Sequence, residues 1–316
     1  MNARAVVFEE AGRLDLRSVE LRACAADEIV VDTSFSSISS GTERLLFNGK
    51  LPGMPHIRYP LVPGYEAAGT VSSVGADVAD IRVGENVFVG GSMCYSDVAA
   101  AFGGQSSRTI KRASQAVSLN GIAPAHAPLL ALAATSLHGV RRLGEVAGQR
   151  IAVLGMGAVG QLAASFLSAA GAHVVAVDRS AERLASARAA EKIDVSDAPL
   201  EELLTSPVAH AIEATGIPSE IARCARVMQL GGKIVLLSYY DAIETPFMDL
   251  FVKEATLLVS REWAFDDLIA ARDMVAGGQV DLGALATHVI PIERYASAYD
   301  TAFNDPSILK VVLQWA

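Results

Sequence analysis

Along the first 118 residues the apolar positions fall in short runs. Residues 5–8, 29–34, 69–74 and 86–89 are each closed off by Gly, Pro, Asp or Glu. Runs of this length, rich in Val, Ile and Phe, predict strands. The stretches between them read as loops: 51–55 and 59–66 are rich in Pro and Gly, and Gly75 and Gly84 bracket a turn. Strands at this spacing predict a small barrel or sandwich.

Near residue 120 the pattern changes. Residues 124–143, rich in Ala and Leu, predict a helix that Gly144 ends. Strands at 150–154, 173–178, 209–214, 233–238 and 256–260 then alternate with helices at 158–170, 181–190, 219–228 and 265–276. That rhythm predicts a parallel sheet covered by helices on both faces. The tail predicts a strand at 288–290, a helix at 295–303 and a strand at 310–314, a mixed order resembling the first domain. The expected fold class is therefore α/β: a β domain over 1–120, a doubly wound parallel-sheet domain over 121–276, and a segment 277–316 that returns to the first.

Composition narrows the functions open to such a chain. Apolar residues make up 51% of it, which excludes global disorder. The net charge of −9, without a Lys/Arg-dense run, argues against nucleic acid as a partner. Three scattered cysteines exclude a disulfide framework and fit a reduced, cytoplasmic setting. Acidic residues at positions 9 and 10 precede any apolar run of signal-peptide length. Residues 151–172 carry no charge and are long enough to span a bilayer. Their glycines and the β-rich run that follows instead mark a buried strand, turn, helix and second strand.

Those glycines carry the clearest chemistry. Gly155, Gly157 and Gly160, with Met156, Ala158 and Val159 between them, form a GxGxxG pattern set between an apolar strand and a helix. In that context the first glycine permits a tight turn, the second lets backbone approach a pyrophosphate, and the third lets helix and strand pack closely. The free N–H groups at the helix start favour the anion. Asp178 ends the next strand, where a carboxylate accepts ribose hydroxyls and repels a 2′-phosphate. This favours NAD over NADP, while the neighbouring Arg179 pulls the other way. Ala214, Thr215 and Gly216 follow the fourth predicted strand, and Ser238 and Tyr239 follow the fifth, so both segments are expected at the cofactor.

A β domain, an Ala-Ala-Thr135 segment, the glycine motif and a return to the first domain form a layout covering the whole chain. It resembles the medium-chain dehydrogenase/reductase superfamily, which implies a GroES-like catalytic β-barrel and a Rossmann domain, and a homodimer as the family's assembly. Gly64, Tyr65 and Glu66 match the Gly-His-Glu stretch of zinc-dependent members, and Ser40 to Glu43 match their Cys-Gly-Thr/Ser-Asp/Glu stretch. Two metal-ligand positions thus hold Ser40 and Tyr65, the third falls near Ala131, and the four-cysteine structural loop is missing. Hydroxyls are poor zinc ligands, so no metal is expected.

Segments 38–43, 59–66, 94–97, 102–104, 261–264 and 302–306 resemble more closely the dehydrogenases of bacteriochlorophyll biosynthesis. That resemblance implies NAD-dependent oxidation of the 3-(1-hydroxyethyl) group of a bacteriochlorophyllide, a tetrapyrrole, to 3-acetyl. Oxidising an alcohol without zinc needs a side chain to manage the proton. Tyr65 is the expected hydrogen-bond partner or relay with Ser40 assisting, and His138, near Thr135 on a predicted helix, is the rival base. A flat, wide substrate needs a cleft, for which Glu66, Cys94, Tyr95, Tyr240 and Trp263 are the candidates. For the aromatics, an interface core is the competing reading. Two other functions fit the same motifs: a zinc-free quinone or enone reductase, and a dinucleotide-binding protein without turnover.

Overall fold

The computed structural model describes residues 1–51 and 58–316. The expected loop at 51–55 lies, beyond Leu51, outside the described residues. The chain forms two compact units, Met1–Ala131 joined by Leu282–Ala316, and Leu132–Asp281.

The first unit is built from two sheets. The smaller one runs, in spatial order, Arg13–Glu20, Asn2–Glu10, Leu61–Val62 and Ala99–Ala100. The larger runs His288–Pro291, Val311–Gln314, Glu28–Ser37, Ala67–Val74, Asn86–Val89 and Ala116–Ser118, with Arg108–Arg112 also paired to Glu28–Ser37. Side chains alternate across a strand. Accordingly Ile29 and Val31 enter one apolar cluster with Val71, Val87 and Val89, while Val30 enters another with Val7, Val19 and Ile110. The strand Glu28–Ser37 is thus buried on both faces around Ile29–Val31, which explains that unbroken apolar run. In the tail, Val311–Gln314 pairs antiparallel with Glu28–Ser37 and parallel with His288–Pro291.

The second unit is one parallel sheet. Its order is Glu191–Asp194, His173–Asp178, Arg150–Leu154, His210–Glu213, Lys233–Leu236 and Thr256–Val259. Counted along the chain this is 3-2-1-4-5-6, the doubly wound order whose ligands lie beyond the carboxyl ends of the strands at the central reversal. Residues 151–154 and 174–177 are buried throughout because helices cover both faces. Helix Ala158–Ala169 packs Leu162, Phe166 and Leu167 onto that sheet, each contributing about 1.5–3 kcal/mol on full burial. The uncharged stretch at 151–172 thereby resolves into strand, turn and helix. Among the described residues no helix is long and apolar enough to cross a membrane.

Two local expectations shift. The helix expected over 124–143 begins as a 3-10 turn at Ala127–Leu129 and becomes regular only over Leu130–Leu143. Pro128, which lacks an N–H, sits in that first turn, where no intrahelical donor is needed. The helix expected over 181–190 ends at Ser186, and an unexpected edge strand, Glu191–Asp194, follows.

Candidate active site

In the second unit the glycine turn forms a cradle. Gly155 has φ of +93°, and a Cβ there would stand 2.9 Å from the carbonyl carbon of Ala214. A Cβ on Gly160 would overlap the carbonyl oxygen of Gly155, so helix and turn touch through backbone alone. Gly157, by contrast, faces open space with nothing within 4 Å of the built Cβ. It precedes Ala158 and Val159 at the start of the helix, whose first N–H groups have no intrahelical partner. An anion is well served there.

The flanking segments line the same end of the sheet. Asp178 accepts hydrogen bonds from the backbone N–H of Met156 at 2.6 Å and of Ser180 at 2.9 Å. Its carboxylate is thus fixed against the glycine turn, while Arg179 is exposed. The built Cβ of Gly216 lies 3.4 Å from Ser238 Cβ and 3.5 Å from the Tyr239 carbonyl, so the loops after the fourth and fifth strands are neighbours. Buried Glu213 ties them: it accepts the N–H groups of Thr215 and Gly216, the Thr215 hydroxyl and the phenol of Tyr240. Burial pushes the Glu213 carboxyl up. Thr135 lies half-buried on helix Leu130–Leu143 in this unit.

In the first unit Tyr65 anchors a cluster of hydroxyls. Its phenol lies 2.8 Å from Ser39 Oγ and 3.4 Å from Thr42 Oγ1, and its ring meets Phe102 edge-on at 5.2 Å. Burial, with the nearby Glu66 charge, pushes this phenol above its ordinary range. It therefore stays protonated at neutral pH. The partner is Ser39, not Ser40, which is exposed on the turn into helix Thr42–Phe47. A run of consecutive hydroxyl residues does not reveal which one turns inward; the turn geometry decides it.

Several expected substrate contacts have other roles. Glu66 is 1% exposed; it accepts the Ser37 hydroxyl and lies 2.7 Å from the ammonium of buried Lys310. A paired, buried carboxylate has no surface to offer a substrate. Cys94 is likewise fully buried, in the cluster of Val30, Val62 and Ile110. Tyr95 donates its O–H to the Gly103 carbonyl at 2.6 Å. Tyr240 packs on the core of the parallel sheet while binding Glu213. Trp263 is half-buried after the last strand. His138 Nδ1 lies 2.7 Å from Asp267, which also holds Arg141 at 2.5 Å. Burial alone would raise the Asp267 carboxyl, but the Ala264 N–H, Arg141 and His138 hold it below its ordinary range. This arrangement ties helix Leu130–Leu143 to helix Phe265–Ala276.

Comparison with known proteins agrees with this architecture. Residues 25–138 match the alcohol dehydrogenase GroES-like domain, and residues 158–276 match the zinc-binding dehydrogenase family. A relative from Cereibacter sphaeroides, 2-desacetyl-2-hydroxyethyl bacteriochlorophyllide A dehydrogenase, is 36% identical over 100% of this chain and 99% of its own. A Rhodobacter capsulatus protein of the same name is 34% identical over 91% and 90%. Among solved structures, 2R,3R-butanediol dehydrogenase from Bacillus subtilis superposes with a TM-score of 0.86 at 21% identity, covering 99% of this chain and 100% of that one. The two sheets of the first unit, the doubly wound second unit and the full-length match agree: the chain belongs to the medium-chain dehydrogenase/reductase superfamily, as an oxidoreductase of the alcohol dehydrogenase type.

Proposed function

We propose that the chain oxidises the 3-(1-hydroxyethyl) group of a bacteriochlorophyllide to 3-acetyl, with NAD+ as hydride acceptor and no zinc ion. The similarity, over nine-tenths or more of each chain, to the two relatives named as hydroxyethyl bacteriochlorophyllide dehydrogenases carries the substrate. The carboxylate of Asp178, held at the glycine turn, favours unphosphorylated ribose and so NAD.

Bound NAD+ supplies the two-electron acceptor. The turn from Gly155 to Gly160 holds its pyrophosphate, and Asp178 its ribose hydroxyls. Tyr65 then manages the proton. Its phenol stays neutral, so it works as a relay and not as an ionised base. It takes the hydroxyl proton of the substrate as it passes its own to the hydroxyl of Thr42, which is partly exposed and sheds its proton outward, while Ser39 Oγ fixes the phenol in place. The substrate loses one hydride and one proton, and no net charge stays on the phenol. Zinc does not suit this donor set. The matching positions offer hydroxyls, and among the described residues no group of three or more His, Cys, Asp or Glu is gathered as a metal requires.

The test is spectrophotometric: purified protein, NAD+, a 3-(1-hydroxyethyl) bacteriochlorophyllide and a chelator. Conjugation of the new carbonyl with the macrocycle is expected to shift the longest-wavelength band to the red. Binding of NAD+ without that shift would remove the substrate from the proposal. Activity lost to the chelator and restored by zinc would remove its metal-free part.

A further inference from the structure

The first unit contains a buried carboxylate that the mechanism above does not use. Glu43 is 0% exposed. It stands in the first turn of helix Thr42–Phe47 and collects three donors from three other parts of the unit. The Ser39 N–H reaches it at 3.0 Å, the Tyr299 phenol on helix Tyr295–Asn304 at 2.6 Å, and Gln105 Nε2 at 3.2 Å. Gln105 is held in turn: it donates to the Ser37 carbonyl at 3.0 Å and accepts the Ser36 hydroxyl at 2.6 Å, and Ser36 accepts Trp315 Nε1 at 2.7 Å.

We propose that Glu43 is a positioning residue of the active site, fixing Ser39 and, through it, the hydroxyl of Tyr65. The inference rests on the relay reading of Tyr65 given above. Only an ionised carboxylate accepts from every side. A glutamine in its place brings an amide N–H₂ to a pocket already supplied with donors, and one bond must reverse or break. The backbone bond to Ser39 is the one with a consequence, because Ser39 Oγ is the nearest partner of the Tyr65 phenol. The charge of Glu43 also acts on the Tyr65 phenol directly and raises it, while its hydrogen-bonded link to that phenol runs through the serine. The charge is costly where it sits: burial pushes the carboxyl up to about 7, with the like charge of Glu66 adding to it. Lys310 is paired to Glu66 and Tyr299 remains neutral, so among the described residues no cation pairs with Glu43 directly. A neutral side chain would fill the same space at lower cost, and the carboxylate is there to hold its donors in register.

The test uses Glu43→Gln, Tyr65→Phe and the double variant in the oxidation assay. Displacing a reacting group by about an ångström costs up to a hundredfold. Glu43→Gln is therefore expected to lower kcat about tenfold to a hundredfold with KM changed less than about threefold. In the Tyr65→Phe background it should add less than about twofold. Equal fold-losses in both backgrounds would show that Glu43 does not act through Tyr65 and would overturn the inference.

A second measurement needs no turnover. With tyrosines labelled at the ring carbon bearing the hydroxyl, Tyr65→Phe assigns the Tyr65 resonance. Glu43→Gln is expected to shift it, and to shift it much less in a Ser39→Ala background; an unmoved resonance in folded protein, or the same shift with and without the Ser39 hydroxyl, would also overturn the inference. Should Glu43→Gln not fold, Tyr299→Phe removes one donor while keeping the carboxylate, and is expected to move the Tyr65 resonance in the same way. Full activity in Tyr65→Phe would remove the relay reading while leaving the resonance experiment to decide the Glu43–Ser39 link.

Discussion

Lys310 and Glu66, 244 residues apart in sequence, form an ion pair at 2.7 Å in which both side chains are almost wholly hidden from solvent. The pair pins the strand that closes the large sheet to the segment that carries Tyr65. Removing one partner of a buried pair leaves an uncompensated charge and costs about 3–5 kcal/mol. Lys310→Met is expected to destabilise by that amount in urea unfolding. Adding Glu66→Gln to it should return most of the loss. A single variant as stable as the parent would refute the pairing.

Gly157 and Gly160 separate cofactor binding from folding. A methyl at Gly157 meets nothing, whereas one at Gly160 overlaps the Gly155 carbonyl. Gly157→Ala should melt within about a degree or two of the parent yet bind NADH much more weakly, because the added carbon occupies the approach to the pyrophosphate. Gly160→Ala should lose stability outright. Thermal melts and NADH fluorescence titrations read the two effects independently, and a Gly157→Ala protein that binds NADH normally would displace the anion from that turn.

The neighbouring serines 39 and 40 offer a sharp contrast. Ser39→Ala removes the partner of the Tyr65 phenol and is expected to cut kcat about tenfold or more, in the range of a lost proton-transfer contact. Ser40→Ala removes an exposed hydroxyl and should leave kcat within about twofold. Steady-state kinetics on the two variants decide it. The reverse ranking would put Ser40 back at the chemistry.

Glu28 and Glu43 tilt stability in opposite directions with pH. Hydrogen bonds from Arg22, at 2.6 Å each, hold the Glu28 carboxyl down from 4.5 to about 2. A depressed acid stabilises above its unfolded pKa, and that contribution is lost as pH falls through the folded value, here between about 4.5 and about 2. Burial raises Glu43 from 4.5 to about 7, so its contribution is complete below about 4.5 and declines as pH climbs through about 7. Glu28→Gln should therefore lower Tm near neutrality and converge on the parent in strong acid. Glu43→Gln should gain on the parent as pH rises from about 4.5 to about 7. Difference curves flat with pH would contradict both signs.

The parallel sheet was the most legible part of the sequence, for a physical reason. Its central strands, such as Arg150–Leu154 and His173–Asp178, are buried on both faces and so read as apolar runs, punctuated by glycines that the turns require. The edge strand Glu191–Asp194 is not legible: Glu191, Lys192 and Asp194 are charged, and its residues are half-buried or exposed. Arg13–Glu20 escaped for the same reason, its exposed charges masking the alternation. The overlong helix at 181–190 followed alanine propensity past the point where tertiary pairing takes the chain into Glu191–Asp194. At the site, Tyr65 was found through the position it shares with a metal ligand. Its partner Ser39 and the remote Asp267 beneath His138 depend on long-range folding that spacing does not encode. Glu43 lay inside a recognised stretch, yet nothing in that stretch announces that Gln105 and Tyr299 converge on it.

The strand Val311–Gln314 lies inside the large sheet, between His288–Pro291 and Glu28–Ser37. On the ribosome, the first 131 residues emerge long before the strand that completes their sheet. The dinucleotide unit, continuous from Leu132 to Asp281, has all its parts in hand earlier. The half made first is therefore the half finished last. Until residues 311–314 arrive, the stretch Phe35–Ser37, beyond the part that Arg108–Arg112 already covers, stands open to whatever strand comes near.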